Sequence, residues 1–169
     1  NNAGYMLPFD KFGNLPIENV DEIIATNFKA CCYSITELLP LISKSPSPAI
    51  INLSSSAGLC PIIGQSLYVA SKHALRGFTE TIIQEYPKIY IGGVYPGFIK
   101  TDILSKIDKS NRDEKLMAKV MMPLEKATKK IVHRIAKRKK KTVLGIDGKF
   151  MTYGYKIAPK FTGFLIRAV

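Results

Sequence analysis

The sequence predicts an α/β fold, a parallel sheet with helices packed on it. Three short apolar runs, near 49–54, 89–95 and 142–146, have the length of strands and read as buried ones. They alternate with long stretches, near 20–43, 66–86 and 123–138, in which apolar residues recur at helical spacing. Strand and helix in alternation imply parallel strands joined by crossover helices.

Size and composition agree with that class. The chain has 169 residues, 46% apolar and 22% charged, enough for one globular domain with a core. Its three cysteines are an odd number; Cys31 and Cys32 are adjacent and no Cys-x-x-Cys occurs. They read as small buried residues in a reducing compartment, which points to the cytoplasm. No signal peptide opens the sequence and no apolar run reaches the length of a membrane span.

Taken in order, residues 1–4 read as a turn, and 5–18 as a loop punctuated by Pro8, Asp10, Gly13 and Pro16. Ile23, Ile24, Phe28, Cys31, Cys32, Ile35, Leu38, Leu39 and Ile42 then form the apolar face of a helix that Pro46 and Pro48 end. Asn27 falls in its middle, where asparagine is a mediocre helix former. The strand at 49–54 runs into Ser54, Ser55 and Ser56, and the helix at 66–86 carries Tyr68 and Lys72 before Pro87 stops it. His73 reads as an ordinary helix residue. After the strand at 89–95, residues 96–101 form a loop, and 102–122 mix apolar residues, methionines among them, with lysines. Pro123 suits the first position of a basic helix whose Leu124, Ile131 and Ile135 point inward. The last stretch, 147–169, is apolar and aromatic but interrupted by Gly154, Pro159 and Gly163.

A serine at a strand's carboxyl end, with a tyrosine and a lysine on the next helix, has chemical content, because open α/β sheets bind ligands at that edge. Tyr68 and Lys72 are four apart and share a helix face. A neighbouring ammonium lowers a phenol's pKa toward the range that general acid–base catalysis requires. A hydroxyl such as that of Ser55 can hydrogen-bond a substrate oxygen on which charge develops. The set suits proton transfer to or from an alcohol or carbonyl oxygen. No histidine or acid stands at ligand or triad spacing, so neither a metal site nor a hydrolase triad is expected.

Asn1-Asn2-Ala3-Gly4, Ser55 thirteen residues before Tyr68, Lys72 four after it, and Pro96-Gly97 with Thr101 form an ordered set. In this the chain resembles the short-chain dehydrogenase/reductase family, over residues 1–148. The resemblance implies a Rossmann-like doubly wound parallel sheet, of which this is the C-terminal part, followed by an apolar basic tail at 149–169. It implies NAD or NADP as cofactor, contacted by Asn2, Ala3, Gly4, Tyr68, Lys72, Pro96, Gly97, Ile99 and Thr101. Tyr68 would be the general acid/base, Lys72 would lower its pKa and hold the nicotinamide ribose, and Ser55 would orient the substrate oxygen. Asn27 falls at the family's fourth catalytic position, where a main-chain kink holds a relay water; a satisfied core amide is the other reading. Residues 102–122 would form a mobile substrate lid, and their methionines suit an apolar substrate; one amphipathic helix packed on the core is the other reading. The helices at 20–43 and 66–86 would pack against a partner subunit, making a homo-oligomer. No glycine-rich turn occurs in the sequence. The chain therefore reads as part of a longer enzyme and is expected to be inactive alone.

The formal net charge is +12, and residues 126–141 hold nine Lys or Arg and no acid. Such a basic helix followed by an acid-poor apolar tail can face solvent, meet an anionic membrane surface or meet an acidic carrier protein. Nucleic acid is not expected, because no stacking platform or reading helix accompanies the charge. The reading favours carbonyl/alcohol oxidoreduction of a small molecule. A non-catalytic binding scaffold on the same fold and a basic membrane-surface domain are the alternatives.

Overall fold

The computed structural model describes residues 1–101 and 121–167. Its three strands are β1 (Ala49–Leu53), β2 (Tyr90–Pro96) and β3 (Lys141–Leu144), in spatial order β1-β2-β3. Both pairings are parallel, with Asn52 opposite Gly93 and Val94 opposite Thr142. The α/β class and the three expected strands are thus present, each within two residues of its expected limits. Asn1 continues the sheet beyond β1. Its N-terminal amine donates to the Ile51 carbonyl at 2.8 Å, and the Leu53 N–H donates back to the Asn1 carbonyl at 2.9 Å.

The helix expected over 20–43 is one helical run in three parts: α1 (Glu18–Ile24), a π segment (Ala25–Lys29) and α2 (Ala30–Ile42). Pro40 is accommodated inside α2. The crossover from β1 to β2 is α3 (Ser66–Glu85), and that from β2 to β3 contains α4 (Leu124–Ala136). The core lies between α2, α3 and the sheet, where Cys31, Ile35, Ile50, Leu75, Ile82, Ile83, Ile89 and Ile91 cluster. Ile50 and Asn52 face this helical layer, and Asn52 donates to Thr79 Oγ1 of α3 at 2.9 Å. Ile51 and Leu53, on the opposite face of β1, are only half-buried, so β1 is not buried throughout as its apolar run suggests. The cysteines do behave as small apolar residues, with Cys31 and Cys60 buried and no disulfide.

Three details depart from expectation. Leu38 and Leu124, expected to point inward, are 49% and 55% exposed. On α4 the contact residue is instead Ala127, which is fully buried. A small side chain there lets the helix approach β2 and β3 closely and leaves Leu124 outside. Pro123 precedes the helix with extended ψ instead of occupying its first turn. The described residues after β3 form two helices, α5 (Ile146–Ile157) and α6 (Pro159–Arg167), where no element was expected. Pro159 sits at the first position of α6, where a missing N–H costs nothing. The boundary expected at 148/149 therefore falls inside α5. The expected substrate lid falls mostly on residues 102–120, outside the described residues. At its far end Met122 pairs in parallel with Ile99.

Candidate active site

β1 ends at Leu53, and the Ser54 N–H still bonds the Val94 carbonyl of β2, at 2.8 Å. Ser55 then caps a single 3-10 turn, Ser56–Gly58, its Oγ accepting from the Ala57 N–H at 3.1 Å. This turn lies hard against α3. A Cβ on Gly58 would come within 2.6 Å of the Lys72 carbonyl oxygen, so only glycine fits. Ser54 Oγ also donates to that carbonyl, at 3.1 Å. The close approach brings Ser55 to the face of α3 that carries Tyr68 and Lys72.

Both side chains are deeply buried, 8% exposed for Tyr68 and 4% for Lys72. Lys72 Nζ donates to the Leu53 carbonyl at 3.3 Å and lies 5.6 Å from the centre of the Tyr68 ring. Burial lowers the ammonium pKa from 10.5 to about 8. Burial also raises the Tyr68 phenol above its ordinary value, while the Ser55 hydroxyl pulls the other way. The net shift of the phenol is therefore upward, and burial sets it. Desolvation disfavours the charged form of each group, phenolate and ammonium alike.

Asn27, 1% exposed, sits in the π segment and braces the N-terminal turn. Its Nδ2 donates to the Tyr5 carbonyl at 2.9 Å and to Ser71 Oγ at 3.0 Å. Its Oδ1 accepts the Tyr5 N–H at 2.9 Å. Gly4 is wedged between this amide and Lys72: a Cβ there would lie 3.1 Å from Lys72 Nζ and 3.2 Å from Asn27 Oδ1. The amide is satisfied, and the main chain departs from α-helical geometry at the same residue, so both readings of Asn27 have a structural counterpart.

The loop after β2 is held at successive residues. The Gly97 N–H donates to the Leu144 carbonyl of β3 at 2.9 Å, and the Phe98 N–H to Asp147 Oδ2 at 2.5 Å. The Met122 N–H donates to the Phe98 carbonyl at 2.9 Å, and the Lys100 N–H to the Met122 carbonyl at 3.0 Å. Asp147 was not legible as a site residue. Its signal was faint: it is the last acid in the sequence, two residues after Gly145 and directly before Gly148. Gly145 has a φ of 87°, which turns the chain from β3 into α5 and aims the carboxylate back at the loop. A Cβ on Gly97 would collide with that carboxylate.

These pieces enclose one cleft of about 420 Å³ at the carboxyl ends of β1 and β2. Asn2, Gly4, Ser55, Tyr68, Lys72, Pro96, Gly97, Ile99 and Thr101 all line it. Ala3 and Asn27 do not, and Asn27 lies behind Gly4. Met6, Phe9 and Ile62 supply an apolar wall that the loop reading of 5–18 did not anticipate. Among the described residues the Thr101 hydroxyl donates only to the Ile99 carbonyl, at 3.5 Å, and Lys72 Nζ only to the Leu53 carbonyl, at 3.3 Å, both long bonds that a ligand can replace or join. Cationic and hydroxyl donors beside the closely packed Gly4 and Gly97 fit the ribose and carboxamide of a nicotinamide nucleotide. Among the described residues, no group of three or more His, Cys, Asp or Glu could hold a metal ion.

The sequence matches the family model described as short chain dehydrogenase over residues 1–112. The chain belongs to this family. Among curated members it is 36% identical over 112 residues to a cyclohexanol dehydrogenase of Acinetobacter sp. (strain SE19). That alignment takes in 65% of this chain and 45% of the relative, so the chain spans about half the length of such family members. Among solved structures, the fold is similar to a short-chain dehydrogenase from Streptomyces avermitilis. That match has a TM-score of 0.78 at 21% identity, over 95% of this chain and 65% of the other. It is also similar to a short-chain dehydrogenase from Sphingobium yanoikuyae in complex with NADPH. Here the TM-score is 0.76 at 21% identity, over 95% and 61% of the two chains.

Proposed function

We propose that this chain provides the proton-transfer and nicotinamide-contacting part of an NAD(P)-dependent oxidoreductase that interconverts a carbonyl and an alcohol. The observation that carries the reading is the convergence of Ser55, Tyr68, Lys72 and the Pro96–Thr101 loop on one cleft. Two likenesses support it: one relative is named for oxidation of a cyclic alcohol, and one structural neighbour holds NADPH. The apolar wall of Met6, Phe9 and Ile62 favours an apolar substrate.

In the reducing direction the Tyr68 phenol gives its proton to the carbonyl oxygen. Its raised pKa keeps it protonated until that oxygen becomes basic. The Lys72 ammonium, close to the ring, stabilises the phenolate left behind. The Ser55 hydroxyl, held by the Ala57 N–H, donates to the same substrate oxygen. Bound NAD or NADP supplies or accepts the hydride. Lys72 and Thr101 are the side chains that would hold the nucleotide's ribose and carboxamide, with Asn2, Ala3, Gly4 and the Pro96–Ile99 backbone around it. Asn27 fixes the Tyr5 turn through its side chain, and the π segment offers a main-chain site for a relay water to Lys72. Tyr33 and Leu41, 66% and 65% exposed on α2, support a homo-oligomeric assembly through that helix.

The test uses a polypeptide that joins this chain to a glycine-rich, pyrophosphate-binding βαβ unit. Tyr68→Phe is expected to lower turnover by about a thousandfold or more while NADPH or NADH affinity stays within a few-fold, since little volume changes. Near-normal turnover in that variant would refute the assignment. Residues 1–169 alone are expected to bind either nucleotide weakly and to show no turnover, because remote pyrophosphate binding is what positions the reacting ring.

A further inference from the structure

The last two helices carry an apolar stripe that neither the core nor the cleft uses. α5 buries Gly148, Met151 and Thr152. On its other side Ile146, Phe150, Tyr153 and Ile157 follow one another at steps of four, three and four residues, so they form one line along the helix. They are 86%, 53%, 55% and 82% exposed. Phe161, at the start of α6, is 63% exposed. None of these residues lines the cleft.

The surroundings of the stripe identify what suits it. Lys149 and Lys156 lie along one rim of it, and Lys160 follows at the beginning of α6, all exposed. The only acid from residue 126 onward is Asp147, and its carboxylate is turned inward to the Phe98 N–H. An apolar line edged by cations, on two helices that carry no exposed acid of their own, complements an anionic lipid surface in both respects. A second copy of the chain is a poorer match, since its stripe would offer Lys149, Lys156 and Lys160 no exposed acid to pair with. The position in the fold agrees. α5 leaves β3, the sheet edge opposite the one that Asn1 extends, so strands added beyond Asn1 would lie away from it.

We propose that α5 and α6 form a docking surface for an anionic membrane. Ile146, Phe150, Tyr153 and Ile157 enter the boundary between headgroups and acyl chains, and Lys149, Lys156 and Lys160 meet lipid phosphates. The proposal is independent of catalysis and stands or falls without it.

The chain has no tryptophan, so Phe150→Trp makes a single reporter on the stripe. The variant is mixed with vesicles of phosphatidylcholine alone, or of phosphatidylcholine with about a third phosphatidylserine. Emission is expected to shift to the blue on the anionic vesicles and to be quenched by lipids brominated in the acyl chain. Partitioning should be roughly tenfold or more tighter on anionic than on neutral vesicles. Ile146→Ser with Ile157→Ser should weaken it by about tenfold or more, with unchanged circular dichroism because both positions are exposed. Lys149→Glu with Lys156→Glu should abolish the preference for anionic lipid. Absence of the blue shift on anionic vesicles overturns the proposal, as does unchanged binding of the double serine variant, which would assign binding to the lysines at 137–141. A lipid-free dimer dissolved by the same serine substitutions would identify the stripe as a contact between copies and also overturn it.

Discussion

Removal of the Asp147 carboxylate should release the loop after β2 without melting the sheet. The Phe98 N–H donates to Asp147 Oδ2 at 2.5 Å, across 49 residues of sequence. A hydrogen bond to a charged acceptor contributes about 1.5–3 kcal/mol, which converts to roughly a 10- to 150-fold change in local opening. In Asp147→Ala the Phe98 amide should therefore exchange with solvent faster by roughly that factor. The Gly97 amide, bonded to the Leu144 carbonyl, and the amides inside β2 should change far less. Asp147→Asn keeps a neutral acceptor, roughly half as strong, and should fall between the two. The assay is residue-resolved hydrogen exchange on the chain itself, so no cofactor is needed. A second arm uses Gly97→Ala, whose Cβ would meet the same carboxylate. Combined with Asp147→Ala, that substitution should cost less stability than it does alone. An unchanged Phe98 exchange rate in Asp147→Ala would refute the clamp. So would equal acceleration throughout β2 and β3, which would mean global loss of stability.

Three other outcomes follow from the same geometry. Asn27→Ala removes the side-chain partners of the part-buried Tyr5 N–H and C=O and of the buried Ser71 hydroxyl, each lost bond costing about 1–3 kcal/mol. Urea unfolding should register a loss of about 2–5 kcal/mol, and a loss below about 1 kcal/mol would dispose of the brace. Stability should also depend on pH through Lys72. Its folded value of about 8 lies below 10.5, so between these the unfolded state binds more protons and stability rises with pH. Cys31 and Cys60, raised from 9.0 to about 11 and about 12, act in the opposite sense above pH 9.0, where only the unfolded state loses their protons. The denaturation midpoint under reducing conditions should peak close to pH 9.0, and Lys72→Met should lose the rising limb. A parent protein whose midpoint does not rise through pH 8 would contradict the burial of Lys72 as a free amine. Finally, Gly58→Ala would push a Cβ to 2.6 Å from the Lys72 carbonyl. It should displace the Ser55 turn from α3 and lower turnover of a complete enzyme more than nucleotide affinity; an unaffected rate would count against that close packing.

What the sequence by itself determined is what local periodicity encodes. Apolar runs at 49–54 and 89–95 had to be strands, and a spacing of four had to bring Tyr68 and Lys72 onto one face of α3, whatever surrounds them. The alternation of strand and helix implied the parallel sheet, and the order of Ser55, Tyr68, Lys72 and Pro96-Gly97 along the chain carried the family. Tertiary structure decided what depends on contact between distant elements. The sign of the Tyr68 shift follows from burial against neighbours, which no spacing reveals. Asn27 meets Tyr5 and Ser71, 22 and 44 residues away, and Asp147 meets Phe98 across 49. No element was legible in the tail, where Gly154, Pro159 and Gly163 lower helix propensity. Yet packing on β3 and on the Ser56–Gly58 turn makes α5 a helix, and Gly154 leaves room for α6, since a Cβ there would lie 3.0 Å from Thr162 Oγ1. Leu124 and Ala127 share one helical face, but only the distance between α4 and the sheet could settle that the smaller one is buried. Periodicity is a property of the chain, whereas desolvation and long-range hydrogen bonds arise only when separate elements exclude water from the space between them.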